Sequence, residues 1–363
     1  MAKTPPFPEL DPGRKRTAWE TIVITTPVIL TVVATVLAGL SSSEMSSAQY
    51  FRSLAAQMQS KVSDQWGYFQ AKKLRAEQCG NTVAIIRGMS QSIPMDQQEF
   101  SQTIGQLMNE MWVVATHVGD ANARAFQLQL PADTTRPDGM NQMAAFLRGD
   151  IPSVEERPIG NQQIVDAIRA VGSNATEADL EQQAGKISED DLDKATMVAN
   201  ENSAAFDNAV DQITVKYSAL AQSCEAISRH ATAFERAARD APGQVVSTEP
   251  AGSLATIHEL NSQLSNALAV ARLGFNANRY QREAHYNEVL ADLLEIQVRR
   301  QGFTSDRHRI RSKEFFYGML GAQAGVTVAT FSLAVRRRNL LWGLAASAGL
   351  AAVTFAAYVY MFV

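Results

Sequence analysis

Five histidines, two cysteines and 37 acidic residues are the side chains in this 363-residue chain best suited to hold a metal, act as a nucleophile or move a proton. His117, His230, His258, His285 and His308 stand far apart, and none belongs to an HExxH pair that would bind zinc from one helix face. Cys79 and Cys224 form no CxxC and no cluster with histidine, so no zinc or redox motif is present. The two would join as a disulfide only in an oxidising compartment; otherwise they are unpaired, half-buried thiols. No P-loop, GxGxxG or GxSxG occurs. The acidic run Glu189-Asp190-Asp191-Leu192-Asp193 lacks the glycine and alternating ligands of a calcium loop, and suits the start of a helix instead. The expectation is therefore a chain without catalytic activity, with no cofactor and no metal.

One segment concentrates functional groups: Asp64, Gln65, Trp66, Tyr68, Gln70 and Lys72. On a helix, Asp64, Gln65, Tyr68 and Lys72 lie opposite Trp66 and Phe69. Specific residues on both faces imply a helix packed on both sides, with Asp64 and Gln65 bonded to neighbours. The alternative is a binding site.

The elements that must position this segment are helices. The middle of the chain is rich in Ala, Gln, Glu, Ser and Asn, and shows neither strand alternation nor a fixed-period repeat. The fold class is expected to be all-α, with three transmembrane helices around a long, coiled-coil-like polar domain. Thr21 to Leu40 carries no charge and at ~1.5 Å per residue covers the ~30 Å hydrocarbon core. Trp19 suits the headgroup region, and Pro27 is tolerated inside a membrane helix. The stretch is longer than the apolar core of a signal peptide, which favours an uncleaved anchor. Phe315 to Val335 and Leu340 to Val363 are two further uncharged runs, joined by Arg336-Arg337-Arg338-Asn339. The organisation is thus a tail (1–18), a first span (19–41), a polar helical domain (42–314), a second span (315–335), a basic turn (336–339) and a third span (340–363). Gly321 and Gly325, with Gly343, Ser347 and Ala351, recur at four-residue spacing and are candidates for close helix approach.

Residues 42–314 hold 34 acids and 26 bases, so this domain has no broad basic face for nucleic acid. Arg14, Lys15 and Arg16, together with Arg336, Arg337 and Arg338, place the N-terminus in the cytoplasm and the central domain outside it. Arg299, Arg300, Arg307, Arg309, Arg311 and Lys313 lie on the other side of the second span and argue the reverse. Arg307, Arg309, Arg311 and Lys313 would anchor the helix by snorkelling or, on the cytoplasmic side, meet anionic headgroups.

Within the domain, Phe51, Leu54, Met58, Val62, Trp66 and Phe69 mark one face of a helix continuing from the first span to about Ala76. Shorter helices are expected over 81–148, with turns at Gly119-Asp120 and Pro131 to Gly139, and a loop over 149–161. Thr176 and Ser188 are helix caps, and a long helix should run from about Glu189 to Arg239. After a break at Pro242 to Gly252, proline-free Ser253 to Val335 reads as one helix ~120 Å long, with possible bends at Gly274 and Gly302. Leu254, Ile257, Leu260, Leu264 and Leu268, then Tyr286, Leu290 and Leu293, suit coiled-coil-like packing. If the first and last long helices pair antiparallel, with Ser41 opposite Phe315, then Trp66 faces Leu290, Lys61 meets Glu295 and Lys73 meets Glu283. Trp66 is then packing core.

The segment Val62-Ser63-Asp64-Gln65-Trp66-Gly67-Tyr68-Phe69-Gln70-Ala71-Lys72 resembles the signature of domain-of-unknown-function family 4337, bacterial membrane proteins with a motif like ASDQWAYYQAK after their first span. Gly67 and Phe69 depart from the usual Ala and Tyr. Leu333 to Trp342 resembles that family's Arg-rich turn between its last two spans, while residues 80–250 look like an expansion. The resemblance implies architecture only, because the family has no assigned activity; the location expected is a bacterial inner membrane, crossed more than once. The function expected is a membrane-anchored helical scaffold, interaction or sensor protein, whose partners are the bilayer and either itself or another protein. The alternative is an accessory subunit of a transport or envelope complex.

Overall fold

The computed structural model describes residues 18–90, 95–118, 145–173, 175–240, 248–334 and 338–362. The turns expected at Gly119-Asp120 and Pro131 to Gly139, and Arg14, Lys15, Arg16, Arg336 and Arg337, lie outside the described residues. Seven helices carry the described chain: α1 Ala18–Ser90, α2 Gln97–Val118, α3 Gln162–Gly172, α4 Glu177–Lys186, α5 Glu189–Asp240, α6 Thr248–Ala334 and α7 Arg338–Phe362. No strand occurs among them, and the fold is all-α.

Local chemistry explains most boundaries. Thr176 and Ser188 cap α4 and α5 as expected: Asp179 N–H donates to Thr176 Oγ1 at 3.3 Å, and Asp191 N–H to Ser188 Oγ at 3.1 Å. Two boundaries differ from the sequence expectation. Helix α1 does not stop near Ala76 but runs to Ser90, because nothing in 77–90 removes a donor or forces a turn. Helix α6 begins at Thr248, ahead of Ser253; Pro250 falls in its first turn, where a missing N–H costs nothing. Gly274 marks no break in α6. It is instead where the 149–161 loop touches the helix. Gly149, at φ +79°, approaches so closely that a Cβ on it would lie 3.1 Å from the Gly274 carbonyl carbon. Asn278 Nδ2 holds this contact by donating to the Gly149 carbonyl at 2.7 Å.

The chain divides into two compact units. One comprises Met1–Gln59, Thr176–Lys186 and Gln297–Val363; the other comprises Ser60–Ala175 and Ile187–Ile296. In the first, α1, α6 and α7 meet through small residues. Leu37 and Ala34 pack with Phe315, Ala322, Ala352 and Val359, and Leu30 packs with Ala329 and Ala345. A Cβ on Gly325 would lie 3.3 Å from both the Ala345 oxygen and Leu30, and one on Gly349 would collide with Leu30. Of the small residues expected at the contact, Gly325 lies in it, whereas Gly321 and Gly343 face open space; Gly318, Ala322, Gly325 and Ala329 form the seam. Polar contacts tie the same helices. Ser41 Oγ donates to the Ser312 carbonyl at 2.9 Å while Ser312 Oγ donates back to Ser41 at 2.8 Å, and Trp342 Nε1 reaches Thr26 Oγ1 at 2.8 Å.

Two helices are long and apolar enough to cross a membrane, the one beginning at Thr21 and Asn339–Phe362, rather than the three expected. Only 22% and 17% of their apolar windows are buried, whereas the core helix of a globular body would be mostly covered. Phe315–Ala334 is uncharged but falls short on apolar content, diluted by Gln323, three glycines and hydroxyl residues. Thr25, Thr31 and Thr35 turn their hydroxyls back onto carbonyls of their own helix, which satisfies these three donors without a partner from outside it.

In the second unit, the core is larger and more aromatic. Phe100, Leu107, Phe206, Ile227, Ile257, Leu264, Phe275 and Tyr286 form one buried cluster from α2, α5 and α6. Leu254 and Leu268 pack at its edge. The 149–161 loop is clamped by Asn202, which accepts from Arg157 N–H at 3.0 Å and donates to its carbonyl at 2.9 Å.

Candidate functional site

The family-like segment lies on α1 within the second unit. The covered positions there are Val62, Gln65, Phe69, Lys72, Ala76, Cys79 and Val83, in alternating steps of three and four. That is a single seam, not two packed faces. Asp64, Tyr68 and Gln70 are exposed, which corrects the expectation that both sides are covered. Trp66 is half-buried beside the seam, edge-on to Phe69 with ring centroids 5.3 Å apart, and is not core. Two of the motif's polar residues, Gln65 and Lys72, therefore occupy seam positions where apolar side chains would be the default. A polar group there fixes register at a cost in stability.

Lys72 shows how. Its ammonium reaches Glu283 Oε2, and Arg279 Nε donates to Glu283 Oε1 at 2.5 Å. The Glu283 side chain is 8% exposed, so two cations compensate one nearly desolvated carboxylate. Lys72 also stands 5.3 Å from the Tyr280 ring centre, with Arg75 and Arg279 at 5.9 and 6.0 Å from the same ring. Asp207 and Asp211 from α5 line the depression beside these groups. Burial, then the Glu283 charge, pushes the Asp207 carboxyl above its usual range. The pair was expected to be Lys73 with Glu283; the seam turns Lys72 inward and leaves Lys73 exposed, 5.6 Å from the Phe69 ring centre. The antiparallel register is otherwise close: Ser41 meets Ser312 where Phe315 was expected. Chemically, a lysine held by a carboxylate is a positioned cation and not a free amine nucleophile.

One further group escaped the sequence reading. Asp292 on α6 is 6% exposed, and its Oδ1 has no partner among the described residues. Burial first, then Glu288 and Glu295, raises its carboxyl to about 7. An acid set among Leu290, Leu293 and Leu294 was the available signal. Gln65 Oε1 is likewise buried without a partner.

The remaining candidates do not converge. Cys79 and Cys224 are both free thiols, and burial raises Cys224 to about 12. Among the described residues no three His, Cys, Asp or Glu side chains are grouped to hold a metal. In the first unit, His308 Nδ1 lies 2.6 Å from Glu44 Oε2, with its ring stacked on Phe51. Of the basic residues beside the second apolar run, Arg307 and Arg309 are exposed, Arg311 is half-buried, and Lys313 sits 5.8 Å from the Tyr317 ring centre. Arg338 opens α7.

Fold and seam together define an all-helical protein with two helices capable of crossing a membrane and a polar-pinned helix pairing between α1 and α6. Residues 19–137 match the family described as Domain of unknown function (DUF4337), so the resemblance carried by Val62 to Lys72 is shown. The match ends before Leu333 to Trp342, leaving the Arg-rich turn outside it. No curated protein and no solved structure matches the chain.

Proposed function

We propose that this chain is a three-span protein of a bacterial inner membrane that acts as a non-catalytic helical scaffold, interaction or sensor module. Phe315–Val335 is its second span. The observation that carries this is the packing in the first unit: Ala322, Gly325 and Ala329 face α1 and α7, while Phe316, Leu320 and Phe331 point outward. A helix with small residues inward and large apolar residues outward suits lipid, where close backbone approach rather than burial from water drives association. The N-terminus is cytoplasmic and the central domain is extracytoplasmic. Beyond the spans, α1 and α6 form a coiled coil, supported by the three–four alternation of covered positions on α1. Gln65 and Lys72 serve as its register pins, which gives the family-like motif an architectural role.

A surface for partners accompanies this frame. Leu74, Ile85 and Met89 fall on one face of α1 and are 58%, 58% and 84% exposed. That face also favours a second reading, an accessory subunit whose helix docks on a transport or envelope complex. Extraction in mild detergent with crosslinking separates the two. A homo-oligomer supports the scaffold reading, and a stable hetero-complex lost on Leu74→Lys supports the accessory subunit. A monomer catalysing a reaction would overturn both.

A further inference from the structure

In the second unit, a groove of about 830 Å³ opens between α5 and α6. This volume is in the range of small-ligand sites. Its floor is aromatic: Phe146, Tyr217 and Phe275 pack together, with the Tyr217 and Phe275 rings 5.4 Å apart and edge-on. Tyr217 Oη is shielded from solvent and has no hydrogen-bond partner among the described residues, a state that is unfavourable for a phenol. Burial raises its ionisation far above the usual range, so it is a neutral O–H donor.

Two arginines line the same groove. Arg229 Nε donates only to the carbonyl of Glu225 in its own helix, at 3.3 Å, and Arg272 has no carboxylate partner among the described residues. Among the described lining residues Glu225 is the single acid against Arg229 and Arg272, a surplus of positive charge. A hydrocarbon-compatible floor, an unmet hydroxyl donor and two cations without carboxylates specify a ligand with one apolar body and one anionic oxygen group.

We propose that this groove binds a single-chain anionic amphiphile of the fatty-acid type. Its chain lies on the Phe146–Tyr217–Phe275 floor, and its carboxylate is held by Arg272 and the Tyr217 hydroxyl, while Arg229, twelve residues further along α5, adds positive charge to the groove. The site is independent of the scaffold reading, since it needs only the second unit's own helices.

The test uses the full-length protein in phosphatidylcholine nanodiscs, photolabelled with a diazirine-bearing palmitic acid and mapped by mass spectrometry. Adducts are expected in the peptides spanning 217–229 and 264–276. The methyl ester of the same probe should label the groove roughly tenfold less, as should the Arg229→Gln/Arg272→Gln double variant, while labelling of the apolar stretches stays unchanged. Leu268→Trp, which fills the groove with both charges intact, should also abolish groove adducts. Adducts confined to the apolar stretches, or equal groove labelling by acid and ester, would overturn the proposal. Circular dichroism of each variant confirms that its helices are retained.

Discussion

The two units of this chain are built from the same element, the long helix, yet hold it by different physics. In the unit containing the apolar stretches, helices touch through Ala and Gly, with Leu30, Leu37 and Phe315 as the large inserts and serine hydroxyls and the Glu44–His308 contact as ties. In the other unit, the helices carry aromatic rings, a nearly desolvated glutamate bracketed by two cations, and an aspartate with one carboxyl oxygen unpartnered among the described residues. Close small-residue packing depends on shape alone, so it should be indifferent to pH and salt. Buried carboxylates make stability depend on protonation. Helix packing in the first unit thus tolerates no added volume, whereas the second tolerates no unbalanced charge.

The largest effect that would sharpen this contrast is at Asp292. Its native carboxyl titrates at about 7, against an ordinary 3.8. Between those values the native state holds more protons than the unfolded chain, so stability falls as pH rises and is lowest above the upper value. Asp292→Asn should stabilise the second unit by on the order of 4 kcal/mol at pH 8 and by little at pH 4. Maleimide labelling of Cys224 measures this, because its buried thiol reacts only when the unit opens. A pH-independent labelling rate in the wild type would remove the basis of the comparison.

Next comes added volume. Gly325→Leu should destabilise the helix bundle of the first unit by ~1–3 kcal/mol, since its side chain would enter the contact between Leu30 and Ala345. Gly321→Leu should be near neutral, because a Cβ there meets nothing within 4 Å. Thermal denaturation in mild detergent distinguishes the two, and equal effects would break the phase assigned to the seam.

Lys72→Ala follows, at ~1–2 kcal/mol, because Glu283 keeps Arg279 but loses one of its two cations. Lys73→Ala should cost less, as Lys73 is exposed. Urea unfolding of the pair tests whether the pin is at position 72; a larger effect at 73 would restore the register expected from sequence. Smallest is Glu201→Ala, which removes a solvent-exposed partner of Arg157 at 2.7 Å and should change stability by under ~1 kcal/mol. A large change there would mean that surface charge matters more than burial in this unit.

How much of this was legible follows from the range of each interaction. The caps at Thr176 and Ser188 were readable because a hydroxyl three residues before its N–H partner is wholly local. The antiparallel register came within one to four residues, since uncharged stretches fix where the long helices begin. Side-chain phase followed only in part: Gly325 was found but Gly321 was taken with it, and Lys72 differs from Lys73 only in which way the helix is rotated. Average spacing of apolar residues near 3.6 does not reveal a 3.5-residue seam that admits Gln65 and Lys72. The pairing of Arg279 with Glu283 was visible as a four-residue spacing, but its burial was not. Nothing in sequence marked Tyr217 and Arg229 on α5 and Arg272 on α6 as lining one groove.

The central claim is that Phe315–Val335 crosses the bilayer between the other two apolar helices. Fusions of green fluorescent protein and of alkaline phosphatase, placed before Met1 and after Val363, report which side of the membrane each end occupies. Three spans require opposite sides: fluorescence from the N-terminal fusion and phosphatase activity from the C-terminal one, or the reverse if the orientation is inverted. Both ends reporting the same side would leave only two crossings and contradict the account.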